Sequence, residues 1–254
     1  MKKLIKNKPV ILLVAAAVLL LASTVRSTHA ALTYYSENYM AEVTVSNIGV
    51  KLLENEKEVS RRNYLENDRW DEVTGTLMKE MLDEDESLVL GKTYEEVLVV
   101  ENSGEIDTYV RVILTKSWQD ANDVKNPDLS PDLIGLNILT GENGWFVDED
   151  ASTAERTVLY YKNVLPVDGK TPAFTDSVRI DPAIGTKVIK NEEVTTGTAG
   201  EPLKTVTYVH EYDGYTFCIE AEVDAVQTHN AADAIKSAWG VDVSVAEDGS
   251  LALQ

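Results

Sequence analysis

Carboxylates dominate the chemistry open to this 254-residue chain: 43 Asp and Glu stand against 23 Lys and Arg, three His and one Cys. Two runs concentrate them, Asp83-Glu84-Asp85-Glu86-Ser87 and Asp148-Glu149-Asp150. Such runs suit Ca²⁺, a hard cation that takes oxygen ligands. Neither has the spaced Asp-x-Asp-x-Asp-Gly pattern of a calcium loop, so both are expected as solvated acidic loops, and no cofactor is expected. Paired acids also drive glycoside hydrolysis. With 43 candidates a chance pairing in space is almost assured, and residue type alone points to no pair.

Nucleophilic and metal chemistry find less. Beyond the leader only His210 and His229 remain, one before an Asp-Gly turn and one before a helix cap, and both are expected as exposed polar residues. There is no His-Glu-x-x-His helix, no Cys/His metal spacing, no Gly-x-Ser-x-Gly elbow and no phosphate-binding glycine loop. A His-based hydrolase needs a nucleophile and an orienting acid around one of the histidines, and no local signature supplies them. Cys218 lies in the apolar alternating run YTFCIEAEV and is expected as a buried, inert thiol. No catalytic, cofactor-binding or metal-ligating residue is assigned, and the chain is expected not to be an enzyme.

The address is more legible. Lys2, Lys3, Lys6 and Lys8 precede VILLVAAAVLLLA (residues 10–22), a positively charged start and an apolar stretch. That stretch is shorter than the roughly 20 residues a spanning helix needs, so residues 1–30 read as a secretory signal peptide, with an uncleaved anchor over the uncharged residues 9–25 as the alternative. Cleavage is expected between Ala30 and Ala31, after small residues, or as late as Thr33–Tyr34. A processed chain has no stable membrane span and is secreted. Residues 1–30 hold five Lys/Arg and no Asp/Glu, so 18 basic residues face 43 acidic ones afterwards, a net charge of −25. Nucleic acid and anionic membranes are bound through basic patches, and such a surface repels them. One cysteine allows no internal disulfide, so stability must come from core burial.

The elements that would position any site are mostly strands, and residues 31–254 are expected to form a single domain. Residues 41–46 (AEVTVS) alternate, with Glu42 and Thr44 opposite Val43 and Val45, and residues 48–53 continue extended. Residues 54–69 are charged with little periodicity, and Trp70 is expected to anchor them to the core. Residues 71–87 suggest a short helical turn, weakened by Gly75. Residues 96–101 and 109–114 flank Asn102-Ser103-Gly104 and are expected as a strand pair. A second hairpin is expected around Asp213-Gly214. Residues 155–165 and 176–181 read as further strands. In NAADAIKSAWG, Asn230 is the expected N-cap, Gly240 the C-terminal stop, and Ile235 and Trp239 share a face. Strand alternation returns in VDVSVAED. Eight or nine strands, one short helix towards the C-terminus and long loops give an all-β, antiparallel, jelly-roll-like β-sandwich.

The layout resembles the TasA/camelysin family, secreted proteins of Gram-positive bacteria whose leaders are processed by a SipW-type signal peptidase. The residues that carry the resemblance are Tyr34-Tyr35-Ser36-Glu37, the strand from Val43 to Ile48, the segment from Val50 to Glu54, VVENSGEIDTYVRVIL and EAEVDAVQTHNAADAIKSAWG. The junction STHAALT departs from the Gly-Thr-x-Ala segment often found there. The resemblance implies a jelly-roll-like sandwich and a place in extracellular biofilm-matrix or surface fibres, with self-association or related matrix subunits as partners. It is the basis for expecting Glu42, Val43, Thr44 and Val45 as a candidate donor strand. The alternatives are a monomeric cell-surface binding module and a secreted metal-dependent or carboxylate hydrolase.

Overall fold

The computed structural model describes residues 47–65, 69–82, 86–196 and 202–254. The expected cleavage positions Ala30, Ala31, Thr33 and Tyr34, the candidate donor residues Glu42, Val43, Thr44 and Val45, and residues 83–85 lie outside the described residues.

The described chain is all-β, with antiparallel pairings throughout and one α-helix. Six strands form one sheet: β1 (Gly49–Glu54), β2 (Lys57–Leu65), β3 (Arg69–Val73), β4 (Thr93–Asn102), β6 (Ile134–Ile138) and β9 (Thr175–Ile180), in the order β3-β2-β1-β4-β9-β6. A second sheet takes β5 (Thr108–Gln119), β7 (Trp145–Val147), β8 (Arg156–Tyr161) and β12 (Thr216–Gln227), in the order β12-β5-β8-β7. Two ribbons stand beside them, β10 (Val188–Thr196) with β11 (Pro202–His210), and β13 (Val243–Val245) with β14 (Leu251–Leu253).

The alternation of apolar residues assigns the faces. Leu98 and Val100 of β4 and Val50 and Leu52 of β1 meet Val110, Val112 and Leu114 of β5 and Leu159 of β8 in one buried cluster. The two large sheets therefore sandwich this cluster. The opposite face of β5 carries Tyr109 and Ile113, which pack with Ala231, Ile235 and Trp239 of α1 (Ala231–Trp239). Burying a side chain of this size stabilises by about 1.5–3 kcal/mol. Gly240 ends α1 as expected, at φ 76°, with its N–H bonded to the Lys236 carbonyl. Asn230 precedes the helix at φ 50° but makes no side-chain capping bond.

Four expectations need correction. Residues 54–69 are not irregular: they hold the turn after β1 and all of β2, and Arg69 begins β3. Their charges face solvent on an antiparallel meander, which hides the period. Trp70 anchors no core; it is 48% exposed on the edge strand β3, edge-on to Tyr64 at 5.1 Å between ring centroids, under the Arg62 guanidinium. Residues 77–80 form a turn and no helix.

The two expected hairpins are in fact crossings between sheets. β4 pairs with β1 and β9, whereas β5 pairs with β12 and β8. Asn102 makes the first crossing: its Nδ2 donates to the carbonyls of Ile106 (2.8 Å) and Leu165 (3.1 Å), and its Oδ1 accepts from the Gly104 N–H (2.9 Å). Gly104 sits so close to β1 that a Cβ there would lie 2.5 Å from the Gly49 nitrogen. In the second crossing, Tyr212 is buried against Trp118 (4.9 Å between centroids) and its hydroxyl accepts from the Ser130 N–H. That packing draws the turn onto the core, and β11 turns away to pair with β10.

Candidate functional site

One inward position of β4 breaks the apolar pattern. Tyr94, Glu96, Leu98, Val100 and Asn102 share the buried face, and Glu96 is 1% exposed. Three local features place it. The β4–β9 register shifts between Glu95 and Leu98, a bulge at Glu96. The buried Thr175 hydroxyl spans the bulge, donating to the Glu96 carbonyl (2.6 Å) and accepting from the Leu98 N–H (3.1 Å). The β1–β2 turn, with Asn55 and Glu56 at positive φ, docks beside it: the Asn55 N–H donates to the Val97 carbonyl, and Asn55 Oδ1 accepts from the Val97 N–H.

Antiparallel register then brings a second carboxylate to the same face. Glu54 of β1 lies opposite Leu98, so Glu96 is its diagonal neighbour. The half-buried Glu54 accepts the Met78 N–H at 2.5 Å. Met78 belongs to the 74–81 segment, which Gly75 allows against β2: a Cβ there would lie 2.1 Å from the Val59 carbonyl oxygen. Glu54, Glu96, Gly75, Met78 and Met81 help to line a cavity of about 580 Å³.

Burial raises the Glu96 carboxyl to about 8, reinforced by the charge of Glu54. Near neutral pH Glu96 is therefore held protonated. Neither Glu96 side-chain oxygen has a hydrogen-bond partner among the described residues. Three other charges on the cavity wall are paired, Glu80 with Lys57, and Glu58 with Arg61 (2.7 Å) and Lys51 (3.8 Å), while Lys79 and Glu95 line the same wall outside these pairs.

A second unusual region is the free edge of the four-stranded sheet. β12 is twelve residues long and, among the described residues, pairs on one side only, with β5. Its core-facing Ala221, Val223 and Ala225 pack on the main cluster but are only partly buried. The β10–β11 ribbon also shows apolar side chains to solvent, with Val194 66% and Tyr208 65% exposed and Ile189 and Val209 on its other face.

The residues singled out in sequence do not converge. His210 and His229 are both exposed, at the end of β11 and before α1. Cys218 is half-buried on β12; burial, with Glu220 and Asp123 nearby, pushes its thiol above the ordinary value, away from the reactive thiolate. Asp148 is buried but turns back on its own loop to accept the Ala151 N–H, leaving Glu149 and Asp150 exposed. Among the described residues no three His, Cys, Asp or Glu side chains form a ready-made metal cage.

The pair that does converge, Glu54 and Glu96, was missed. Its signal was available: period-two parity puts Glu96 in register with Tyr94, Leu98 and Val100, a charge on the apolar face of a strand. Comparison with known proteins brings no family to this geometry: no family model, no curated protein and no solved structure matches the chain.

Proposed function

We propose that this is an exported, non-enzymatic structural protein that self-associates into extracellular matrix or cell-surface fibres, with residues 31–46 of one copy adding as a strand to the sheet of the next. The observation that carries this reading is the β12 edge. Among the described residues it offers twelve residues of backbone with one lateral neighbour, above core-facing Ala221, Val223 and Ala225 that remain partly uncovered. An added strand gains backbone hydrogen bonds and covers those side chains together. Addition from one copy to the next is head-to-tail and propagates as a filament. The leader and the resemblance carried by residues 34–54 are consistent with export and a fibre role. Among the described residues no helix is long and apolar enough to cross a membrane.

Electron microscopy of the processed protein tests the proposal. Chains beginning at Ala31 form filaments, and chains lacking residues 31–44 remain folded monomers. Filaments that persist unchanged after the deletion overturn strand donation. The exposed apolar β10–β11 ribbon favours a second reading, a monomeric surface-binding module. A processed protein that stays monomeric at high concentration and at lowered pH, where its charge is partly neutralised, decides for that module.

A further inference from the structure

Most carboxylates of this protein face water or a basic partner, and Glu96 has neither. It is 1% exposed, both its oxygens lack a protein donor, and it lines a cavity of about 580 Å³ together with Glu54. Lys57 and Arg61 are committed elsewhere, to Glu80 and to Glu58 and Asp71, and Lys79, on the same cavity wall, is in no ion pair with Glu96 among the described residues. A buried carboxylate without a counter-charge is costly and is ordinarily paired or metal-bound. Here its diagonal neighbour across the β1–β4 pair is another carboxylate, Glu54, held in place by the Met78 N–H.

We propose that Glu54 and Glu96 together bind one hard divalent cation of the calcium class, bridged between the two carboxylates. Two carboxylates match a divalent charge, and both are oxygen ligands on adjacent strands fixed by the β1–β4 register. Ca²⁺ accepts irregular geometry and completes its shell with water or carbonyl oxygens, so a cage of three acidic side chains is not required. The cavity has room for those waters. The acidic run at 148–150 is not part of the cavity lining, and the site stands whether or not the chain forms fibres. Because β1, β4 and the 74–81 segment meet there, the bound ion ties the β1–β2 turn and that segment to the sandwich.

The test is calorimetric titration of CaCl₂ into the purified, EDTA-stripped protein at moderate ionic strength. One saturable site is expected, with a Kd on the order of 10⁻⁴ to 10⁻³ M. Glu96→Gln loses the charge, and weakens binding at least about tenfold. Glu142→Gln, at an exposed carboxylate outside the cavity, leaves affinity unchanged. If Glu96→Gln melts early in EDTA, Glu54→Gln replaces it, keeping an acceptor for the Met78 N–H, and must show the same loss. The absence of a saturable site in the wild-type protein, full affinity in the folded variant, or an equal loss in Glu142→Gln overturns the proposal.

Discussion

Asn102 and Glu96 are buried polar side chains on the same face of the same strand, 0% and 1% exposed, and they do opposite things. Asn102 spends its amide on three backbone groups of the crossing between sheets. Glu96 finds no backbone group and only another carboxyl, at the wall of a cavity. A buried polar group that is fully satisfied specifies structure. One left unsatisfied beside open space marks a place for something else. Burial and polarity are the same in both; the partner list separates them.

The largest expected effect falls on the structural member. Asn102→Ala strands the Ile106 carbonyl and the Gly104 N–H and removes one of the two bonds to the Leu165 carbonyl, which keeps the Thr108 N–H, and should cost about 3–4 kcal/mol in urea unfolding. A cost under about 1 kcal/mol would remove the contrast, since Asn102 would then be no better integrated than an exposed residue.

The next concerns Glu96 and pH. Its carboxyl is near 4.5 when unfolded and about 8 when folded, so between those values the folded state holds a proton that the unfolded state has released. The stability this contributes is complete below the unfolded value and is lost as pH rises through the folded one. In EDTA, the wild-type protein should lose on the order of 3 kcal/mol between pH 4.5 and pH 9 relative to Glu96→Gln, which has no proton to lose. Parallel pH profiles for the two proteins would show that Glu96 is not held protonated by its surroundings.

The smallest effect belongs to Trp70. Its ring meets Tyr64 edge-on and lies under Arg62 at the sheet edge but covers no core. Trp70→Ala should therefore change stability by no more than about 0.5 kcal/mol by thermal unfolding. A loss above about 2 kcal/mol would restore Trp70 as a core anchor.

Particular residues show how far the sequence could be read. The helix was legible because its signals are local: Ile235 and Trp239 four apart, and Gly240 at the end where a positive φ is needed. β5, β8 and β9 were legible from alternation. The partners of β4 and β5 were not, because Asn102-Ser103-Gly104 reads equally as a hairpin turn and as a corner between sheets. Only the carbonyls of Ile106 and Leu165, the latter 63 positions away, decide between them. β10 and β11 were half legible. Alternation marked the β11 arm, but its pairing with β10 and its exposure on both faces depend on Tyr212 turning inward to Trp118.

By itself the sequence determined which residues can share a face, where left-handed backbone falls after α1, and how acidic the surface is. These depend on spacing, Cβ sterics and composition, all of which are local or additive. Only the tertiary structure decided which strands are neighbours, because backbone hydrogen bonds pair any strand with any other and register is settled by packing. The same holds for Glu54 and Glu96. Among 43 acidic residues nothing in type or spacing joins two that lie 42 positions apart. The β1–β4 register and the bulge held by Thr175 bring them together.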